Sequence, residues 1–217
     1  MTDERWRVTQ RYAEEVFGAQ DGILSGLAAE AAAAGLPTWS VSAHVGRFLM
    51  MLASLTVGRL ALEIGTLGGY SAIWITRGLA PEGRLITIEY EERHSDFAER
   101  QFIDAGFGDR IDARRGAALD LLPSIAAEVG PESLDFVFID GDKAEYPAYF
   151  VAVRDLIAIG GLLVVDNVFG TGSSWIDDVD EPGMRATDAM NRAVAGDPGF
   201  VATALSAGSG LLVAKRV

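Results

Sequence analysis

Four short runs constrain the fold more than anything else in the chain: 60–64, 85–88, 134–139 and 162–165. Each is almost wholly apolar, without the polar alternation that a strand open to water on one side would show. They therefore read as strands buried on both faces. The stretches between them read as helices: Ser71 to Leu79 before the turn Ala80-Pro81-Glu82-Gly83, Glu91 to Gly106, Ala118 to Val129, and Pro147 to Ile159 before Gly160-Gly161. Strand alternating with helix requires a mostly parallel sheet with right-handed crossovers and helices on both faces, the doubly wound α/β class. Such sheets bind ligands outside the carboxyl ends of their strands. The tail departs from this pattern. Met184 to Ala195 predicts a helix closed by Gly196 and Pro198, and Phe200 to Leu205 and Leu211 to Lys215 predict strands whose short Gly-containing joint permits only an antiparallel hairpin.

Ahead of the sheet, the spacing predicts one Ala-rich helix over Glu14 to Ala34, stopped by Gly35-Leu36-Pro37, and another from Ala43 to about Thr56. With 217 residues, 49% apolar and 23% charged, the chain is too rich in apolar side chains for disorder. It suits one domain over 1–217, with the first 40 residues as a helical extension. The absence of cysteine removes disulfides, thiolate zinc sites and thiol nucleophiles together.

Charge and hydropathy narrow the partners. The net charge of −13 repels phosphate backbones, and Arg114-Arg115 is the one adjacent basic pair besides the terminal Lys215-Arg216, so no nucleic-acid partner is expected. Asp3, Glu4, Arg5, Arg7 and Arg11 break up the first residues, unlike a secretory signal, and no run approaches the roughly 18 apolar residues of a membrane span. A cytoplasmic protein without a membrane partner is the expectation.

Three groups of residues could carry chemistry. The first strand runs into Gly65-Thr66-Leu67-Gly68-Gly69-Tyr70-Ser71 and then a helix, where a doubly wound fold places its nucleotide-binding turn. The loop has neither G-x-G-x-x-G spacing nor the Lys of a P-loop, so phosphate cradling is unsupported. Glu89, 20 residues after Gly69, stands at the offset at which an acid accepts hydrogen bonds from ribose hydroxyls. A nucleoside fits this better than a nucleotide, although the same glycines also serve to pack helix on strand and Glu89 also suits a solvated strand end.

The second group is Asp140 with, 26 residues on, Asp166 and Asn167, all at strand ends. If those strands are neighbours, the three side chains bring oxygens to one point, the partial shell that Mg²⁺ prefers. Singly, each of these residues also suits a helix cap or a turn. His44 and His94, the only histidines, lie away from strand ends and suit local hydrogen bonding.

The third is Lys143. Of 18 basic residues only Lys143 and Lys215 are lysines, and unlike Arg a Lys near a bound cation can lose its proton and act as general base. Trp6, Trp39 and Trp74 read as packing residues. The acidic stretch 169–183 reads as a long loop over a site, in which Phe169 and Trp175 could line a flat pocket, and suits a solvated surface loop equally.

The stretches LEIGTLGGYSAIW, ITIEYEE, RRGAALDLLP, LDFVFIDGDKAEYPAYF, GGLLVVDNVFGTG and SGLLVAKR together resemble the cation-dependent class I O-methyltransferases, the family of catechol and caffeoyl-CoA O-methyltransferases. The resemblance runs from about Val41 to Val217. It implies a Rossmann-like sheet of seven strands with the last antiparallel, S-adenosylmethionine as methyl donor, and a small catechol-like acceptor. Carried over by position, it implies donor contacts at Val41, Glu63, Gly65, Thr66, Ser71, Glu89, Ala118 and Asp140. It implies Mg²⁺ ligands at Asp140, Asp166 and Asn167, a base at Lys143, and a homodimer formed through the N-terminal helices. A methyltransferase for a modified tRNA base, and a cofactor-binding protein without turnover, are the competing readings.

Overall fold

The computed structural model describes residues 3–217; Met1 and Thr2, at the start of the charged N-terminal stretch, lie outside them. Among the described residues, seven strands form one sheet: β1 (Leu60–Ile64), β2 (Arg84–Glu89), β3 (Ile111–Arg115), β4 (Leu134–Ile139), β5 (Ile157–Asp166), β8 (Phe200–Leu205) and β9 (Leu211–Arg216). A two-residue hairpin, β6 (Gly170–Thr171) with β7 (Ser174–Trp175), stands apart from it. The sheet order is β3-β2-β1-β4-β5-β9-β8. Pairing is parallel from β3 to β5, and β9 runs antiparallel to both β5 and β8. The last strand is thus the reversed one, as the short joint at 206–210 requires.

Helices cover both faces. On one lie α2 (Gly22–Ala33), α3 (Ala43–Ser54), α4 (Tyr70–Gly78) and α5 (Glu92–Asp104); on the other lie α6 (Ala118–Val129), α7 (Tyr146–Val153) and α8 (Pro182–Gly196). Alternate strand residues feed two separate cores. Ala61, Leu85, Phe136 and Phe138 pack with Leu49, Ile73 and Phe97, whereas Leu62, Ile64, Ile86 and Val137 pack with Ile125, Phe150 and Met190. No described helix is long and apolar enough to cross a membrane.

Three expectations need correction. The single helix over Glu14 to Ala34 is two, because α1 (Asp3–Phe17) ends before Gly18 and Asp21 caps α2 by accepting the Leu24 N–H at 3.1 Å. A side chain at Gly18 would collide with the Glu14 carbonyl at 2.5 Å and with Ala43 Cβ at 2.9 Å, so glycine lets the corner close against α3. The helix drawn to Ile159 ends at Val153, a 3-10 turn follows, and Gly160-Gly161 lie inside β5 rather than at a helix end. A Cβ on Gly161 would sit 2.9 Å from the Leu134 carbonyl, at the place where the β4–β5 register shifts. Finally, β3 (Ile-Asp-Ala-Arg-Arg) was not foreseen. It is an edge strand paired only with β2, so it needs no apolar run.

Candidate active site

The strand order reverses between β1 and β4, and a crevice opens at their carboxyl ends. Its depth depends on Gly65. The Gly65 N–H donates to Ile88 O of β2 at 3.0 Å and the Asp140 N–H donates to Ile64 O of β1 at 2.9 Å, which ties the ends of three strands together. Gly65 has φ +100, and a Cβ there would meet the Asp140 carbonyl at 2.4 Å. Only glycine permits that approach.

A cavity of about 1560 Å³ occupies this crevice. Val41, Gly65, Thr66, Ser71, Glu89, Ala118, Asp140, Lys143, Asp166 and Asn167 all line it. Glu63, foreseen beside them, does not; it is completely buried behind the wall. Its Oε2 accepts from the Thr87 hydroxyl at 2.5 Å, and its Oε1 is buried with no hydrogen-bond partner. Burial pushes the Glu63 carboxyl up to about 8, opposed by the hydroxyls of Ser71 and Thr87.

Glu89 closes the end of the cavity beside the glycine turn. Its Oε2 accepts the N–H groups of Thr66 at 3.2 Å and Leu67 at 2.7 Å, and its Oε1 accepts that of Glu91 at 2.9 Å. These bonds hold Leu67 in a left-handed conformation (φ 47) and fix the carboxylate at the cavity edge. His94 Nδ1 stands 3.5 Å from Glu89 Oε1 and its ring lines the cavity, closer to the site than its sequence position suggests. Helix α5 starts three residues after Glu89, so its first turn folds back over the strand end.

At the other end, β4 and β5 are adjacent, with Ile139 paired to Val165. The next residues on these strands, Asp140 and Asp166, are therefore side by side, roughly one strand spacing apart at ~4.8 Å. Burial pushes the Asp166 carboxyl up to about 7, and the neighbouring Asp140 carboxylate adds to this against the Asn167 N–H and Lys143. Lys143 Nζ donates to Asp140 Oδ1 at 2.8 Å and to Gly141 O at 3.3 Å, and lies 4.9 Å from the centre of the Tyr146 ring. A cation thus already rests against the carboxylate pair. Among the described residues no cluster of three or more His, Cys, Asp or Glu side chains could hold a metal. A metal here would rest on two carboxylates and the Asn167 amide, an all-oxygen set that fits a hard divalent ion with water or substrate filling the shell.

Residues not foreseen hold this end in place. Asn167 has φ 59, a left-handed conformation. The carbonyls on either side of it are taken by two other elements: Tyr146 Oη donates to Asp166 O at 3.1 Å and Asn191 Nδ2 to Val168 O at 2.9 Å. Tyr146 is completely buried, and burial, with Asp140 and Asp166 adding to it, raises its phenol so that it stays a donor. Nothing in the sequence marks Asn191 apart from its place on an otherwise ordinary amphipathic helix.

The aromatic expectations divide. Trp74 is buried as foreseen and Trp6 is partly exposed, but Trp39 is 78% exposed on the cavity rim. Thr171 to Ser174, the β6–β7 hairpin, do line the cavity, as a covering loop would. Trp175 and Phe169 do not: Trp175 points to solvent, and Phe169 packs into the core beside Gly210.

Comparison with known proteins agrees with this architecture. The O-methyltransferase family profile matches residues 14–217. The chain is 42% identical over 187 residues to a catechol O-methyltransferase of Mycobacterium tuberculosis, covering 85% of this chain and 82% of that one. It is 35% identical over 205 residues to a catechol O-methyltransferase of Niastella koreensis, covering 94% and 92%. Among solved structures, the O-methyltransferase of Bacillus cereus in complex with SAH superposes with a TM-score of 0.89 at 36% identity, covering 99% of both chains. The chain belongs to the O-methyltransferase family.

Proposed function

We propose that the protein transfers the methyl group of S-adenosylmethionine to one hydroxyl of a small vicinal diphenol, with a hard divalent cation such as Mg²⁺ held by Asp140, Asp166 and Asn167. The observation that carries this is that Asp140 and Asp166 directly follow the paired residues Ile139 and Val165 on adjacent strands, with Lys143 Nζ 2.8 Å from Asp140, in the same cavity as Glu89 and the glycine turn. The relatives named as catechol O-methyltransferases and the SAH complex of the Bacillus cereus protein support it.

In this reading Glu89 accepts the ribose hydroxyls, and Val41, Gly65, Thr66, Ser71 and Ala118 surround the rest of the donor. Glu63 acts from behind the wall through Ser71 and Thr87. Asp140, Asp166 and Asn167 would hold a hard cation, whose positive charge would favour the ionised form of the acceptor hydroxyl. Lys143, its own proton given up to water, takes the hydroxyl proton on Nζ. The acceptor oxygen then bonds to the methyl carbon as the carbon–sulfur bond breaks, and the electron pair stays on sulfur. Among the described residues, seven acids line the cavity against Lys143 and His94, with no Arg, and this negative setting favours the cationic donor. Most of the rate comes from positioning within this one cavity.

The chain acts as one domain, and a second copy covers α1. That helix exposes Val8, Tyr12 and Val16 on one stripe with Phe17 beside it. Sedimentation of the full chain checks this, and a monomer at all concentrations removes it. The activity is tested by a methyl-transfer screen over vicinal diphenols, with Mg²⁺ and with chelator, for the wild type and Asp140→Ala. Loss of turnover in the variant and in chelator is expected. A variant that keeps the full rate in chelator overturns the scheme.

A further inference from the structure

Two of the four apolar runs carry a lone polar residue near the carboxyl end, Glu63 in β1 and Thr87 in β2, and the parallel register pairs them directly. Both are completely buried and lie on the sheet face whose other residues enter an apolar core. Placing a carboxyl and a hydroxyl there is costly unless they bond to each other.

They form part of a continuous file. Thr87 Oγ1 donates to Glu63 Oε2 at 2.5 Å and lies 2.5 Å from Thr66 Oγ1. Either hydroxyl can donate in the second bond, since the protonated Glu63 carboxyl can itself donate to Thr87. Thr66 is the member of the file that reaches the cavity. Its own N–H and that of Leu67 are the two that Glu89 Oε2 accepts. The order of contact is therefore Glu63, Thr87, Thr66 and, through the backbone, Glu89. The Thr66–Leu67 turn needs such an anchor, because Leu67 sits at φ 47 without glycine's freedom.

We propose that Thr87 is a positioning residue of the donor site, its buried hydroxyl tying the Thr66–Leu67 turn to Glu63 so that Glu89 is held where it meets the donor's ribose. Thr87 touches neither donor nor acceptor; it acts through Thr66. The inference rests on the reading of the cavity as a donor site, and the experiment separates the two.

Calorimetry with S-adenosylhomocysteine is run on the wild type, Thr87→Val and Thr87→Ser, each checked for folding by thermal melting. Valine keeps the shape and removes the hydroxyl; serine restores it. Thr87→Val is expected to bind S-adenosylhomocysteine about tenfold more weakly, while Thr87→Ser stays within about threefold of wild type. With a turnover assay, the donor KM of Thr87→Val rises while kcat at saturating donor stays within about twofold. A role in stability alone would lower the melting temperature and leave the affinity unmoved. Wild-type affinity in a folded Thr87→Val overturns the inference and leaves the donor site standing, as does equal weakening in Thr87→Ser. A wild type that binds no S-adenosylhomocysteine overturns both. Should Thr87→Val fail to fold, Thr66→Val interrupts the same file at its other end, and unchanged affinity there also overturns the inference.

Discussion

Asn191 in α8 donates from Nδ2 to the carbonyl oxygen of Val168 at 2.9 Å, one residue beyond the left-handed Asn167. With the Tyr146 phenol on the Asp166 carbonyl, this bond clamps the turn that presents two of the three proposed metal ligands. A helix on the far side of the sheet thereby sets the shape of the site.

Replacing Asn191 by Leu removes the clamp without removing a ligand. Partners one layer behind a metal's ligands typically change its affinity by about 10–100-fold, so Asn191→Leu is expected to weaken Mn²⁺ binding by about tenfold while S-adenosylhomocysteine affinity is unchanged. Titration of the free Mn²⁺ resonance reads the first and calorimetry the second. Unaltered Mn²⁺ affinity would detach Asn191 from the site.

Lys143 is paired with Asp140 and lies over the Tyr146 ring, so its removal separates a base from a structural cation. Lys143→Met is expected to lower kcat by about 10²–10⁴-fold, the usual range for a general base, with donor affinity little changed. A variant with normal kcat would exclude Lys143 from the proton transfer.

Gly65 admits no side chain. In Gly65→Ala the new Cβ meets the Asp140 carbonyl at 2.4 Å with φ held at +100, and the strain alone amounts to about 1–3 kcal/mol. Either β1 and β4 part at their ends or the chain loses stability. Both a lower denaturation midpoint and weaker Mn²⁺ binding are expected; an unchanged midpoint would mean that the close approach is not needed.

The buried Glu63 gives stability a pH dependence whose sign is fixed. Its carboxyl titrates at about 8 when folded, against 4.5 when exposed, so between these values the folded chain holds the extra proton. Stability from this group is therefore greatest in acid and declines as pH rises from about 4.5 to 8, by at most about 1.4 kcal/mol per pH unit. In the donor-free protein Glu63→Gln should flatten that decline. Denaturant midpoints measured across this range in both proteins check it, and parallel profiles would show that Glu63 ionises freely.

The apolar runs identify β1, β2, β4 and the second half of β5, because a strand covered on both faces has no water-facing side to encode. The same logic concealed β3, whose Ile-Asp-Ala-Arg-Arg is half open at the sheet edge, and Asp21 and Gly18 split a helix where Ala-rich composition suggested continuity. Asp140, Asp166, Asn167, Lys143 and Glu89 were legible as strand-end chemistry, and all five line one cavity. Trp39, expected to pack, stands exposed, because an aromatic residue's type does not say whether it faces core or solvent.

The chain's own order of residues determined the α/β class, the reversed final strand and the oxygen-bearing side chains available at strand ends, since these follow from local periodicity and turn chemistry. Only the tertiary structure decided which ends are neighbours. The pairing of Ile139 with Val165, of Glu63 with Thr87, and of Asn191 with Val168 depends on strand order, register and helix docking. Those are settled by packing over separations of more than twenty residues, and no local pattern carries them.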